Sequence, residues 1–62
     1  MNSTYNWRPI ETAPDRTRVM TKIHDANGCR NEQIMKRDGR LWWLDGVDMY
    51  AYYTPTHWAP LS

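Results

Sequence analysis

An all-β fold is what this 62-residue sequence predicts: a small curled antiparallel sheet or barrel of about four strands, built on two consecutive hairpins. Three observations carry that expectation. Asn27-Gly28 and Asp38-Gly39 suit tight hairpin turns, because these residues tolerate positive φ. Around them, apolar and polar residues alternate with the two-residue period of a strand. No segment holds a helical apolar period long enough to bury one face of a helix.

Residues 1–6 are polar and expected to be a flexible N-terminus, which leaves 7–62 as a single small β domain. From Trp7 to Arg16, Pro9 and Pro14 each bias the preceding residue away from the helical region, so the segment is extended and pinned by Trp7 and Ile10. Arg18 to His24 alternates, with Val19, Thr21 and Ile23 on one face and Arg18, Met20, Lys22 and His24 on the other. The return strand is Cys29 to Arg37, and two registers are open. A three-residue loop pairs Val19 with Met35 and Lys22 with Glu32, whereas a two-residue loop pairs Asp25 with Arg30.

A two-residue turn at Asp38-Gly39 sets Met35 opposite Trp42 and Ile34 opposite Trp43. The third strand, Arg40 to Leu44, is apolar on both faces after Arg40, as in a central strand or one under an oligomer interface. Asp45-Gly46 is another turn signal. Val47 to Tyr53 fits a helical turn through Val47, Tyr50 and Ala51, or a strand through Tyr50 and Tyr52; the segment is too short for either period to decide. Thr54 to Ser62 is extended again, with Pro55 and Pro60 at the ends of a fourth strand or on a sheet edge. The expected core is Trp7, Ile10, Val19, Ile23, Ile34, Leu41, Trp58 and Leu61, with Trp7 and Trp58 packed together to close the fold end to end.

Composition narrows the function classes. A chain this short hides only about 60% of the surface its unfolded form exposes, which leaves a thin core and favours self-association, most simply a homodimer. Eight Lys/Arg against seven Asp/Glu give a net charge of +1, too even for a polyanion-binding tail or an acidic nucleic-acid mimic. Leu, Ile, Val and Phe supply few residues, but four Trp, four Tyr and four Met replace them, which points to a folded, aromatic-cored domain. The single cysteine, Cys29, forms no internal disulfide. Neither an apolar run of about 18 residues nor a signal-peptide pattern is present, so a cytoplasmic setting and no membrane partner are expected.

Both ends of the chain carry motifs. Trp7-Arg8-Pro9-Ile10-Glu11-Thr12-Ala13-Pro14, followed by Asp15, Thr17 and Val19, resembles the W-x-P-I-x-T-A-P-x-D-G-T-x-V opening of a family of small phage and prophage proteins of unknown function. Thr56-His57-Trp58-Ala59-Pro60-Leu61 matches the T-H-W-x-P-L close of the same family. The match spans roughly a third of the chain, in order and spacing that chance does not readily produce. The chain departs from the pattern by being one residue short after Pro14 and by having Arg16 where the family has glycine. The resemblance implies a phage-type accessory protein made in the bacterial host cytoplasm, and it transfers no residue roles.

Candidate chemistry is sparse. His24, Cys29 and His57 are the soft or borderline metal ligands, and their spacing fits no zinc signature, so no metal and no cofactor are expected. Ser3 and Ser62 lie near the ends, no nucleophile elbow is present, and Asp25, Asp38 and Asp45 read as turn formers. Gly28, Gly39 and Gly46 are each accounted for by a turn, which leaves no phosphate-cradling loop. A non-enzyme is therefore expected.

Recognition is better supported. Arg37, Arg40, Trp42, Trp43, Tyr50, Tyr52 and Tyr53 form the candidate partner- or ligand-binding set, because a thin core cannot hide so many aromatics and Trp, Tyr and Arg anchor interfaces. The first expectation is a protein that inhibits or sequesters a host defence component by binding. The alternatives are a homo-oligomeric sponge for a small nucleotide-like ligand and a single-stranded nucleic-acid binder on a small β-barrel.

Overall fold

The structure is a computed structural model and describes residues 5–61. The start of the proposed flexible N-terminus, residues 1–4, and Ser62 lie outside the described residues.

Six strands form one antiparallel sheet: β1 (Arg8–Pro9), β2 (Arg18–Asp25), β3 (Gly28–Asp38), β4 (Leu41–Leu44), β5 (Tyr50–Ala51) and β6 (His57–Ala59). The order across the sheet is β1-β6-β2-β3-β4-β5. Thus β2 to β5 make a meander, the chain returns to lay β6 beside β2, and β1 pairs with the outer side of β6. The sheet stays open, with β1 and β5 at its edges. It has more strands than the sequence predicts, because β1 and β5 are two residues long and too short to show a period. A 3-10 turn at Ile10–Thr12 is the helical element among the described residues. No helix there is long and apolar enough to cross a membrane.

The first hairpin follows the first expected register as far as a bulge and neither register beyond it, since Arg30 pairs with Ile23 and not with Asp25. Val19 faces Met35 and Thr21 faces Gln33, but beyond them Ile23 faces Arg30 and Asp25 faces Gly28. Lys22 therefore stands against Asn31 and Glu32 together, and its pairing with Glu32 alone is not formed. Asn31 takes φ +59, a left-handed conformation that asparagine accepts more readily than most residues. At the tip, Asp25 Oδ1 accepts the Asn27 N–H at 2.9 Å, and the Arg30 guanidinium grips both Asp25 oxygens at 2.9 and 3.1 Å.

These bonds hold the Asp25 carboxyl at a pKa of about 2, below its usual 3.8, with the Arg30 bond the largest cause and the Asn27 N–H the next. A depressed folded-state pKa means that the contribution is complete above the unfolded value and is lost as pH falls through the folded one. The urea midpoint of the parent should therefore exceed that of Asp25→Asn by a constant amount above about pH 5, and the gap should close toward pH 2. A gap independent of pH would show that the charge is not what Asp25 contributes.

The second hairpin corrects the expected register. Asp38 faces Leu41, Arg37 faces Trp42, Lys36 faces Trp43 and Met35 faces Leu44, so Gly39-Arg40 forms the turn instead of Asp38-Gly39. The N-terminal segment docks there: Asp15 Oδ1 accepts the Gly39 N–H at 3.0 Å, and the Arg16 N–H donates to the Arg37 carbonyl at 2.7 Å. The shift is two residues, so every side chain keeps its face.

Ala13, Val19, Met35, Trp42 and Trp58 form the buried cluster, with Ile10, Leu44, Ala51 and Tyr53 packed on it. Ala51 from one sheet edge and Ile10 from beside the other meet in this cluster, which requires the sheet to curl. Of the expected core, Val19 and Trp58 are buried, while Trp7, Ile10, Ile23, Ile34 and Leu61 are half-buried. Leu41 is a correction: it is 41% exposed, because it follows the turn and alternates onto the face opposite Trp42.

Trp7 and Trp58 also lie on opposite faces, since Arg8 is the residue that pairs with Trp58. The ends are joined by other means. Trp58 Nε1 donates to Thr12 Oγ1 at 2.8 Å, the Arg8 guanidinium sits 5.7 Å from the Trp58 ring, and the Ile10 N–H donates to the Thr56 carbonyl at 3.1 Å.

Candidate functional site

The face of the sheet away from the core carries a row that runs across four strands: Arg18, Lys36, Trp43 and Tyr50, each opposite the next. Strand alternation places Trp43 there once Trp42 is committed to the core. The Trp43 and Tyr50 rings meet edge to face at 5.3 Å, an arrangement in which the ring edge of one meets the electron-rich face of the other.

The loop from Asp45 to Met49 frames one side of this row. The Leu44 N–H donates to the Met49 carbonyl at 2.9 Å, the Asp45 N–H donates to the Ile34 carbonyl at 3.2 Å, and Gly46 supplies φ +83 at the turn. Val47 to Tyr53 is thus neither a helical turn nor a full strand but a loop with a short edge strand. An open groove of about 620 Å³ runs over Trp43, with Lys36, Arg16, Asp38, Asp45 and Asp48 along its walls.

Asp45 holds Arg18 by two bonds, at 2.9 and 3.0 Å, and strengthens the hold of that guanidinium on its proton, so Arg18 is a fixed and neutralised cation. Arg16 lies between Asp15 and Asp38 at 3.9 and 4.0 Å, a loose pairing of exposed groups worth little in water. Lys36, directly opposite Trp43, is exposed, and no carboxylate holds it among the described residues.

Among the described residues, five large apolar side chains are exposed: Leu41, Val47, Met49, Tyr50 at 50% and Tyr52 at 98%. All fall between residues 41 and 52, so the apolar surface that the sheet leaves uncovered is gathered at its β4–β5 end. Patches of this kind on small proteins mark interaction sites.

The structure divides the sequence-predicted binding set. Trp43, Tyr50 and Tyr52 are on this end of the molecule, and Arg40 is exposed in the adjacent turn. Trp42 is a correction, buried at 4% among the core residues by its pairing with Arg37 and Ala51. Arg37 shares that inward face; its Nε is buried without a hydrogen bond and lies 3.6 Å from Asp15 Oδ1. Tyr53 packs on the core and accepts a hydrogen bond from Gln33 Nε2 at 2.7 Å. Sequence reasoning missed Lys36, Arg16 and Asp45. The signal for Lys36 was its place opposite Trp43, visible only with the correct register of the second hairpin.

The candidate metal ligands sit elsewhere. His24 is opposite Cys29, the His24 and His57 rings are 6.0 Å apart, and His57 Nδ1 is engaged with Thr56 Oγ1 at 2.8 Å. Among the described residues, no three His, Cys, Asp or Glu side chains gather as a metal-binding set. Ser3 and Ser62 lie outside the described residues. Compared with protein-family models, curated proteins and solved structures, the chain matches none.

Proposed function

We propose that this chain is a non-enzymatic accessory protein of phage type that inhibits or sequesters a bacterial host component, a defence factor in the host cytoplasm, by binding it with the β4–β5 end. The observation that carries this reading is the confinement of every exposed large apolar side chain among the described residues to 41–52. Trp43 and Tyr50 are rigid anchors there, and Lys36 and Arg40 are cations beside them. Such residues contribute most to binding when a partner removes them from water. The phage-type origin rests on the terminal motifs. Its support in the fold is that Arg16 adopts φ +57, the left-handed conformation for which the family's glycine at that place is suited.

A second reading has its own observation. The groove places an indole opposite an ammonium that no carboxylate holds among the described residues, which suits a small nucleotide-like ligand with its base on Trp43 and its phosphate on Lys36 and Arg16. Its walls also carry Asp38, Asp45 and Asp48, which repel phosphate, so this stands second. A homo-oligomeric form, with the same apolar end as the subunit contact, belongs with either reading. The net charge of +1 leaves single-stranded nucleic acid third.

The test is a tagged pull-down from the bacterial host with the parent, Trp43→Ala and Tyr52→Ala. Removing a true anchor should weaken capture by 2 kcal/mol or more, roughly thirtyfold, with an unchanged circular dichroism spectrum. A nucleotide released on denaturation would favour the second reading. Equal capture by all three proteins would remove the β4–β5 end from the function.

A further inference from the structure

At the opposite side of the sheet, β2 and β3 bring an amine and a thiol together. Lys22 Nζ donates to Cys29 Sγ at 3.7 Å and lies 4.3 Å from the centroid of the Trp7 ring. Lys22 is only 8% exposed, whereas Cys29 is exposed. Lysine is rarely buried unless an acid pairs with it, yet the sulfur is the hydrogen-bond acceptor that Nζ meets here. The geometry follows from the hairpin. His24 pairs with Cys29, so the cysteine shares a face with Lys22 one pleat away, and the bulge at Asn31 and Glu32 lies against Lys22 itself.

We propose that Lys22 and Cys29 are a peroxide-responsive modification site that closes to a reversible sulfenamide cross-link. In the first step hydrogen peroxide oxidises the accessible sulfur: an S–O bond forms, the O–O bond breaks, and the departing hydroxide leaves as water with the proton given up by the thiol, which gives a sulfenic acid. In the second step the Nζ lone pair attacks that sulfur. The N–S bond forms, the S–O bond breaks, and the hydroxyl departs as water with one Nζ proton; a further proton passes to solvent from lysine that starts as the ammonium. The chain loses two hydrogens in all. Two equivalents of an added thiol reverse the link and are themselves oxidised to a disulfide.

The division of exposure suits this sequence of steps. Oxidant reaches Cys29 from solvent, while the burial of Lys22 under Trp7 holds the amine beside the sulfur and makes its attack intramolecular. That attack competes with a second oxidation to the irreversible sulfinic acid. The product would staple β2 to β3 next to the bulge, where the ladder is interrupted.

The experiment treats the full chain with hydrogen peroxide and follows intact mass and tryptic peptides. The expected product is a monomer whose Lys22–Cys29 segment is lighter by two hydrogens, uncut by trypsin after Lys22 but cut after Lys36, with that segment restored by dithiothreitol. Lys22→Arg retains the cation but offers no comparable nucleophile, and should instead give a dimedone-trappable sulfenic acid or a higher oxide. The parent oxidised in urea should behave like Lys22→Arg, which tests proximity without reliance on a folded variant. Oxygen retained at Cys29 or a Cys29–Cys29 dimer from the native parent, or a link that also forms in urea, would overturn the proposal; oxygen gained at methionine is read separately in the peptides.

Discussion

Trp42→Ala should unfold the domain, while Trp43→Ala should leave it folded. The two residues are neighbours with the same side chain, and alternation alone separates them. Trp42 is 4% exposed and packs in the cluster with Val19, Met35 and Trp58. Truncation of a buried tryptophan costs about 3–5 kcal/mol through lost transfer energy and the cavity left behind. A domain of this length has a total stability of about 3–9 kcal/mol, so the loss takes most or all of it. Trp43 is half-buried on the outer face and loses chiefly its edge contact with Tyr50, about 0.5–1.5 kcal/mol beyond area. Thermal melts of the two variants check the contrast. A normal melt for Trp42→Ala would place that indole outside the core and reverse the assignment of faces.

Trp58→Ala should be as damaging, for a different mixture of reasons. Its ring is 7% exposed, which carries the same cost of about 3–5 kcal/mol, and its Nε1–H bond to Thr12 adds about 1 kcal/mol. The residue also belongs to the longest-range stitching in the molecule, the pairing of β6 with β1. Trp58→Phe keeps most of the ring and loses the N–H, so denaturant titration should show a loss of about 1–2 kcal/mol. Equal losses for the alanine and phenylalanine variants would mean that the hydrogen bond, and not burial, is what Trp58 contributes.

Much of the sheet was legible in the sequence. The Asn27-Gly28 and Asp38-Gly39 signals located both hairpins, and alternation put Val19 and Thr21 on the buried face of β2, although Ile23 beyond the bulge is only half-buried. What escaped was register, and with it the candidate surface. Hairpin register depends on turn geometry and on bulges, and a bulge such as that at Asn31 leaves no local pattern because it answers to the opposing strand. The aromatic set was therefore read as one patch, although Trp42, Arg37 and Tyr53 belong to the core face.

The sequence by itself determined a β-dominated domain, the places of its turns to within a residue, and the fact that Trp42 and Trp43 face opposite ways. These are local properties, set by positive-φ tolerance and by a two-residue period that neighbouring residues already contain. Only the tertiary structure decided which of the two tryptophans is buried. It also decided that Leu41 is exposed, that Lys36 stands opposite Trp43, and that Lys22 reaches Cys29. Each of these depends on residues distant in the chain. Asp15 and Arg16 dock on the second turn, Trp7 covers Lys22, and β6 pairs beside β2 to close the core. Burial is a property of the assembled faces, and in a sheet the assembly is set by pairing across strands, which no short stretch of sequence contains.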